Sequence, residues 1–166
     1  MTHVTATFDT RSAAELALNR LVDMGIREEQ ISLIVTEESR GNHFQIETKS
    51  RADEGAAAGA TFGGVVGAIL GSVLAAGALA IPGLNLIVVG SLTGALAGLG
   101  AGAATGGLIG ALVGAGIPEH EAKIYEDELK AGNILLAVKP TDGEQKRRVK
   151  DMLEKNTQAH NIAVAA

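Results

Sequence analysis

Between Glu54 and Glu119 the chain carries no charged side chain, so residues 55–118 form one uncharged block flanked by two charged segments. A block of that length exceeds any single buried element of a small domain. It has room for two helices of about 20 residues each and a turn. Glycine recurs inside it at every fourth position, at Gly55, Gly59, Gly63, Gly67 and Gly71, and again at Gly90, Gly94, Gly98, Gly102, Gly106, Gly110 and Gly114. Each glycine in a helix interior costs about 1 kcal/mol against alanine, so the two runs together give up roughly 10 kcal/mol of helix propensity. A loop or a low-complexity linker does not require a strict period of four. On a helix, positions four apart lie nearly above one another, and a row of glycines there opens a groove that a second helix can enter until the backbones touch. The expectation is a glycine zipper that serves as a packing surface, with the tightest contacts at Gly63, Gly67, Gly98, Gly102 and Gly106.

The sequence IPGLN, residues 81–85, interrupts the block, and Pro82 with Gly83 is its expected turn. The block then reads as a helical hairpin with arms of about 57–80 and 86–116, roughly 36 and 46 Å long. A bilayer core is about 30 Å thick, so the second arm has to tilt, break near Ala103–Gly107, or emerge from the lipid. Lys49, Arg51 and Lys123 flank the hairpin and its turn is uncharged, which places both termini in the cytoplasm of a bacterial inner-membrane protein. Against insertion, there is no Trp, Tyr125 lies outside the block, and alanine and glycine gain little from lipid. The alternative is a cytoplasmic assembly, a cage, tube or filament whose hairpins bury one another without lipid. A pore is a weaker third reading, with only Thr93 and Thr105 to line it. In each case the expected partner is the chain itself, as a homo-oligomer, with membrane lipid as the second partner of the first reading.

The flanks have the composition of a soluble domain. Residues 1–54 carry Lys and Arg at 11, 20, 27, 40, 49 and 51 and a larger number of acids, and residues 118–166 are nearly balanced. VTATF alternates Val4, Ala6 and Phe8 with threonines as a strand with one apolar face. Ser12 and Glu15 have the spacing of a capping box, Ala14, Leu18, Leu21 and Val22 follow at helical spacing, and Gly25 is placed to end that helix. QISLIVTE reads as a buried strand. Downstream, Pro118 suits a first helical position, Gly132 stops the helix, NILLAVKP is a strand, Thr141 or Asp142 caps another helix, and NIAVA is a last strand. The order βαβ then βαβ predicts an α+β fold, a ferredoxin-like domain with the glycine-zipper hairpin inserted between its halves. The organisation is then 1–54, 55–117 and 118–166: first half-domain with connector, hairpin, and helix with second half-domain.

Three stretches, VTATFDTRSAAELALNRLVDMGIREEQISLI (4–34), HFQIETKSRADEGAAAGATFGG (43–64) and GIPEHEAKIYEDELKAGNILLAVKP (116–140), resemble the YflT-like general stress proteins and the proteins called low-temperature-induced. They cover about half the chain. The resemblance implies a stress-linked, non-enzymatic bacterial protein and brings no active site with it. The long double zipper departs from the shorter members.

Little else suggests chemistry. The chain has no cysteine, which excludes disulfides, thiolate metal sites and a cysteine nucleophile. His3, His43, His120 and His160 are scattered, and the EHE of 119–121 lacks a second histidine one turn away. KRRVK at 146–150 sits among Asp142, Glu144, Asp151 and Glu154, the pattern of a solvated helix face rather than a nucleic-acid site. YEDE at 125–128 is expected to be a solvent face as well. No metal, no cofactor and no nucleic acid are expected, and no nucleophile, base and orienting group can be assembled into an enzyme site.

Overall fold

The computed structural model describes residues 3–36, 79–81, 86–90, 92, 100–155 and 158–165. Gly55, Gly59, Gly63, Gly67, Gly71, Pro82, Gly83, Gly94 and Gly98 lie outside the described residues, and so does the expected first arm up to residue 78. The elements are β1 (His3–Phe8), α1 (Arg11–Asp23), a 3₁₀ turn (Glu28–Gln30), β2 (Ile31–Thr36), β3 (Leu79–Ile81), β4 (Leu86–Gly90), α2 (Gly100–Gly114), α3 (Glu119–Lys130), β5 (Ile134–Val138), α4 (Gly143–Lys155) and β6 (Ala159–Ala165).

Local chemistry explains most of these boundaries. Thr10 is the N-cap of α1, with φ −134° and ψ 151°, and its side chain accepts the Ala13 N–H at 3.2 Å. The expected Ser12–Glu15 capping box is therefore displaced by two residues. Ser12 lies within the first turn, and Glu15 takes an ion pair with Arg11 at 2.7 Å instead. Gly25 and Gly132 end their helices at φ +82° and +95°, as expected. Pro118 stands one residue outside α3, as its N-cap. Asp142 rather than Thr141 receives a backbone N–H of α4, that of Gln145, at 2.7 Å. That bond is the main reason its carboxyl titrates below the ordinary aspartate range.

The described strands form one six-stranded sheet in the order β3-β4-β2-β5-β1-β6, every neighbouring pair antiparallel. The α+β class is as expected, but the sheet is wider than the four strands of the flanks. β1 and β2 run parallel with β5 between them, and β5 and β6 run parallel with β1 between them, so the two βαβ units interlock. On one face Val4, Ala6, Phe8, Leu33, Val35 and Leu136 pack with Leu18 and Leu21 of α1 and Val149 and Leu153 of α4. On the other, Ile34, Val88 and Leu135 pack with Leu108, Ala111 and Leu112 of α2 and Ala122, Tyr125 and Leu129 of α3. A sheet covered on both faces explains the fully buried runs ISLIV and ILLAV, which have no solvent side.

The expected second arm, one helix over 86–116, is corrected here. Residues 86–90 are β4, paired with β2 from Ser32↔Gly90 to Thr36↔Leu86, and the described helix of this arm is α2, Gly100–Gly114. LIVVG is a short, β-branched apolar run, which periodicity cannot assign to strand or helix. It becomes a strand because β2 offers it a free edge. Residues 79 and 80, expected to close the first arm, form β3 on the far side of β4 together with Ile81 of the expected turn. Among the described residues no helix is long and apolar enough to cross a membrane.

Gly90 shows what its glycine is for. It sits at φ +97°, and a Cβ there would run into the carbonyl oxygen of Ile31. Its role is close approach of strands rather than the helix packing expected of it. Gly90→Ala should cost on the order of 3 kcal/mol or more, from strain at positive φ plus overpacking. Chemical denaturation of the two chains measures this directly, and an unchanged midpoint would contradict the β4 pairing.

Candidate functional site

The described zipper glycines other than Gly90 fall on α2. Gly107 breaks that helix, with φ 60° and ψ −153°, at the downstream edge of the stretch where a break was expected. Beyond it, Leu108, Ala111, Leu112 and Ala115 face the sheet and are buried. Past the break, the side of α2 turned from the sheet carries Gly110, Val113 and Gly114 as a short stripe, with Ile109 packed at its edge against the core and Gly106 just before the break. Gly106 and Gly114 are exposed, Ile109 and Gly110 are half-buried, and Val113 is 41 % exposed. A Cβ placed on Gly106 meets nothing within 4 Å. The stripe holds no charged or hydrogen-bonding side chain. Gly102 also lies on α2.

A second feature, missed in the sequence, is a polar layer buried between β1, β6 and α3. His3, Thr5 and Thr7 project from β1 on the face opposite Val4, Ala6 and Phe8, and all three are buried. Thr5 Oγ1 and the Tyr125 hydroxyl share a buried hydrogen bond of 2.6 Å. Thr7 Oγ1 donates to the His160 carbonyl at 3.2 Å and accepts from Asn161 Nδ2 at 3.3 Å. The β1–β6 register shifts between Thr5 and Thr7, and Asn161 takes the unusual φ of 47° at that bulge. Outside the layer, His160 reaches Asp9 at 3.2 Å. The alternation in VTATF was legible, but its threonine face is covered by α3 rather than by water. The clue was the apolar side of α3 itself, Ala122, Tyr125 and Leu129, which needs a sheet face of its own.

Burial sets the electrostatics of this layer. It pushes the Tyr125 hydroxyl up to about 12, against a smaller opposing pull from its bond to Thr5. It pushes His3 down, helped by the Lys139 charge, and pushes Glu121 up, against the pull of His120. Among the described residues His3 Nδ1 and Glu121 Oε2 find no hydrogen-bond partner. All three shifts favour the uncharged form: Tyr125 and Glu121 keep their protons to higher pH, and His3 gives up its own at lower pH.

The remaining sequence candidates stay apart. His120 lies 3.7 Å from Glu121, and among the described residues no group of three His, Asp or Glu side chains could hold a metal ion. YEDE is not one solvent face. Tyr125 is fully buried, Glu126 pairs with Lys130 at 3.1 Å, Glu128 accepts from Asn133 Nδ2 at 2.6 Å, and Asp127 is exposed. In KRRVK, Val149 is core, Arg147 and Arg148 are exposed, and Lys150 pairs with Glu154 at 3.3 Å. No protein-family model, curated protein or solved structure matches this chain.

Tyr125→Phe should cost about 1–2 kcal/mol at neutral pH, because Thr5 loses its buried partner. The unfolded tyrosine releases its proton near 10 and the folded one only at about 12. The tyrosine's contribution is therefore complete below pH 10 and lost as the pH rises to about 12. The stability difference between the two chains, followed by denaturant titration across that range, should shrink; a constant difference would contradict the burial of the hydroxyl.

Proposed function

We propose that this chain is a non-enzymatic, self-associating protein: an α+β domain of ferredoxin-like type, widened by the β3–β4 hairpin, that meets other copies through the outer stripe of α2. The observation that carries the reading is that stripe, uncharged, partly exposed and open around Gly106. Water against it gains no hydrogen bond from any side chain. A second copy can remove it from solvent and approach to backbone contact at the glycines. The interlocked βαβ units support the ferredoxin-like description, since each unit is split by a strand of the other. The resemblance to general stress proteins supports a role under stress, as a structural component and not a catalyst.

The contact with lipid remains the second reading, favoured by the charge-free sequence from 55 to 118. Its second arm has less to offer a bilayer than the sequence suggested. Residues 86–90 are committed to the sheet, and one side of α2 is committed to the core.

Gly106→Leu separates the readings. The site is open and its φ is not positive, so the variant should unfold within about 1 kcal/mol of the parent. Sedimentation of dilute protein at physiological ionic strength, in the absence of lipid, should show the parent as an oligomer and the variant dissociated. A variant that assembles like its parent contradicts the α2 interface. A parent that is monomeric without lipid but floats with vesicles replaces self-association by membrane insertion.

A further inference from the structure

A shallow groove of about 410 Å³ runs between α1 and α4, lined by Arg20, Met24, Arg148, Asp151, Met152 and Lys155. Met24 and Met152 are partly buried against the core beneath. Arg20, Arg148 and Lys155 form no ion pair among the described residues. Three cations against the single Asp151 leave a local positive excess, in a chain whose net charge is −5. A cationic rim around a methionine floor selects an anionic partner with an apolar tip, and methionine adapts its shape to such a tip.

The opposite face of the sheet carries that shape. On α3, Ile124 is 46 % exposed, the highest value among the large apolar side chains described. Asp127 and Glu128 stand three and four residues on, hence on the same side of the helix. The neighbouring acids Glu119 and Glu126 are neutralised by Lys123 and Lys130 at 3.0 and 3.1 Å, whereas Asp127 has no ion pair among the described residues.

We propose that α3 of one copy docks in the α1–α4 groove of the next, with Ile124 on Met24 and Met152 and the Asp127–Glu128 pair facing Arg20, Arg148 and Lys155. Because the two surfaces lie on opposite faces of the sheet, the contact is heterologous. Each copy keeps one free surface of each kind, and copies add in a row rather than closing as a two-fold dimer. The contact shares no residue with the α2 stripe, and the two can fail separately.

The test uses the full chain carrying Gly106→Leu, so that the α2 contact is silenced. Sedimentation velocity should show salt-sensitive association of this chain at high protein concentration, stronger at low ionic strength. Adding Arg20→Glu with Arg148→Glu should weaken it about tenfold or more, as should Ile124→Lys with Asp127→Lys. All four positions are exposed, and circular dichroism checks that each variant is folded. Each variant keeps one intact surface, so an equimolar mixture of the two should form one-to-one dimers and nothing longer. A Gly106→Leu chain that stays monomeric at every salt concentration overturns the proposal. So do variants that associate like their parent, mixtures that form no dimer, and binding of the groove to anionic vesicles without self-association. Loss of association in Gly106→Leu relative to the natural chain reports on the α2 interface alone.

Discussion

β2 is hydrogen-bonded along both edges, to β4 on one side and β5 on the other, and this double pairing determines what the rest of the chain must do. Successive side chains of a strand point to opposite faces, so Leu33 and Ile34 each demand cover on their own side. The charged flanks supply α1 and α4 for the first face. The second is covered by α3 and by α2, which comes from the uncharged block. The block also donates the neighbouring strand, with Val88 on the α2 side and Ile87 and Val89 on the α1 side. Part of what reads as an apolar insertion is therefore core. Ser32 joins the two parts with a buried bond, its Oγ accepting the Leu92 N–H at 3.0 Å just past β4.

The glycines of the uncharged block serve at least three physical roles. Gly90 has no Cβ because the Ile31 carbonyl occupies that space. Gly107 bends α2 so that Leu108 and Leu112 reach the sheet. Gly106 faces open space, with room for the interhelical packing that the repeat suggests. The spacing of four thus serves a strand approach and an open surface, and the bend falls to Gly107, which lies outside the repeat.

Much of the domain was legible in residues of strong local meaning. Alternation in VTATF, the left-handed glycines at 25 and 132, and the β-branched runs of β2 and β5 lead to the observed elements. Legibility failed where local signals are degenerate. LIVVG fits helix or strand until β2 offers an edge. Thr10 and Ser12 both suit a helix N-cap, and the backbone turns at the first. Tyr125 sits among acids, yet its ring points to the sheet and its hydroxyl finds Thr5. The polar layer was invisible because threonines on a strand look solvent-facing unless a second covering helix is already known. The α2 stripe was legible as small residues at helical spacing, but which of them remain open depended on the break at Gly107.

The account rests most heavily on the α2 stripe being where copies meet, and the absence of cysteine makes that directly measurable. Val113→Cys places a single thiol on the stripe, and Glu29→Cys places one on the exposed 3₁₀ turn, away from both proposed contacts. Under mild oxidation without lipid, the Val113→Cys chain should form disulfide-linked pairs rapidly and nearly completely, while the Glu29→Cys chain stays largely monomeric. Equal, slow cross-linking of the two would contradict the account, leaving the stripe with no partner copy in front of it.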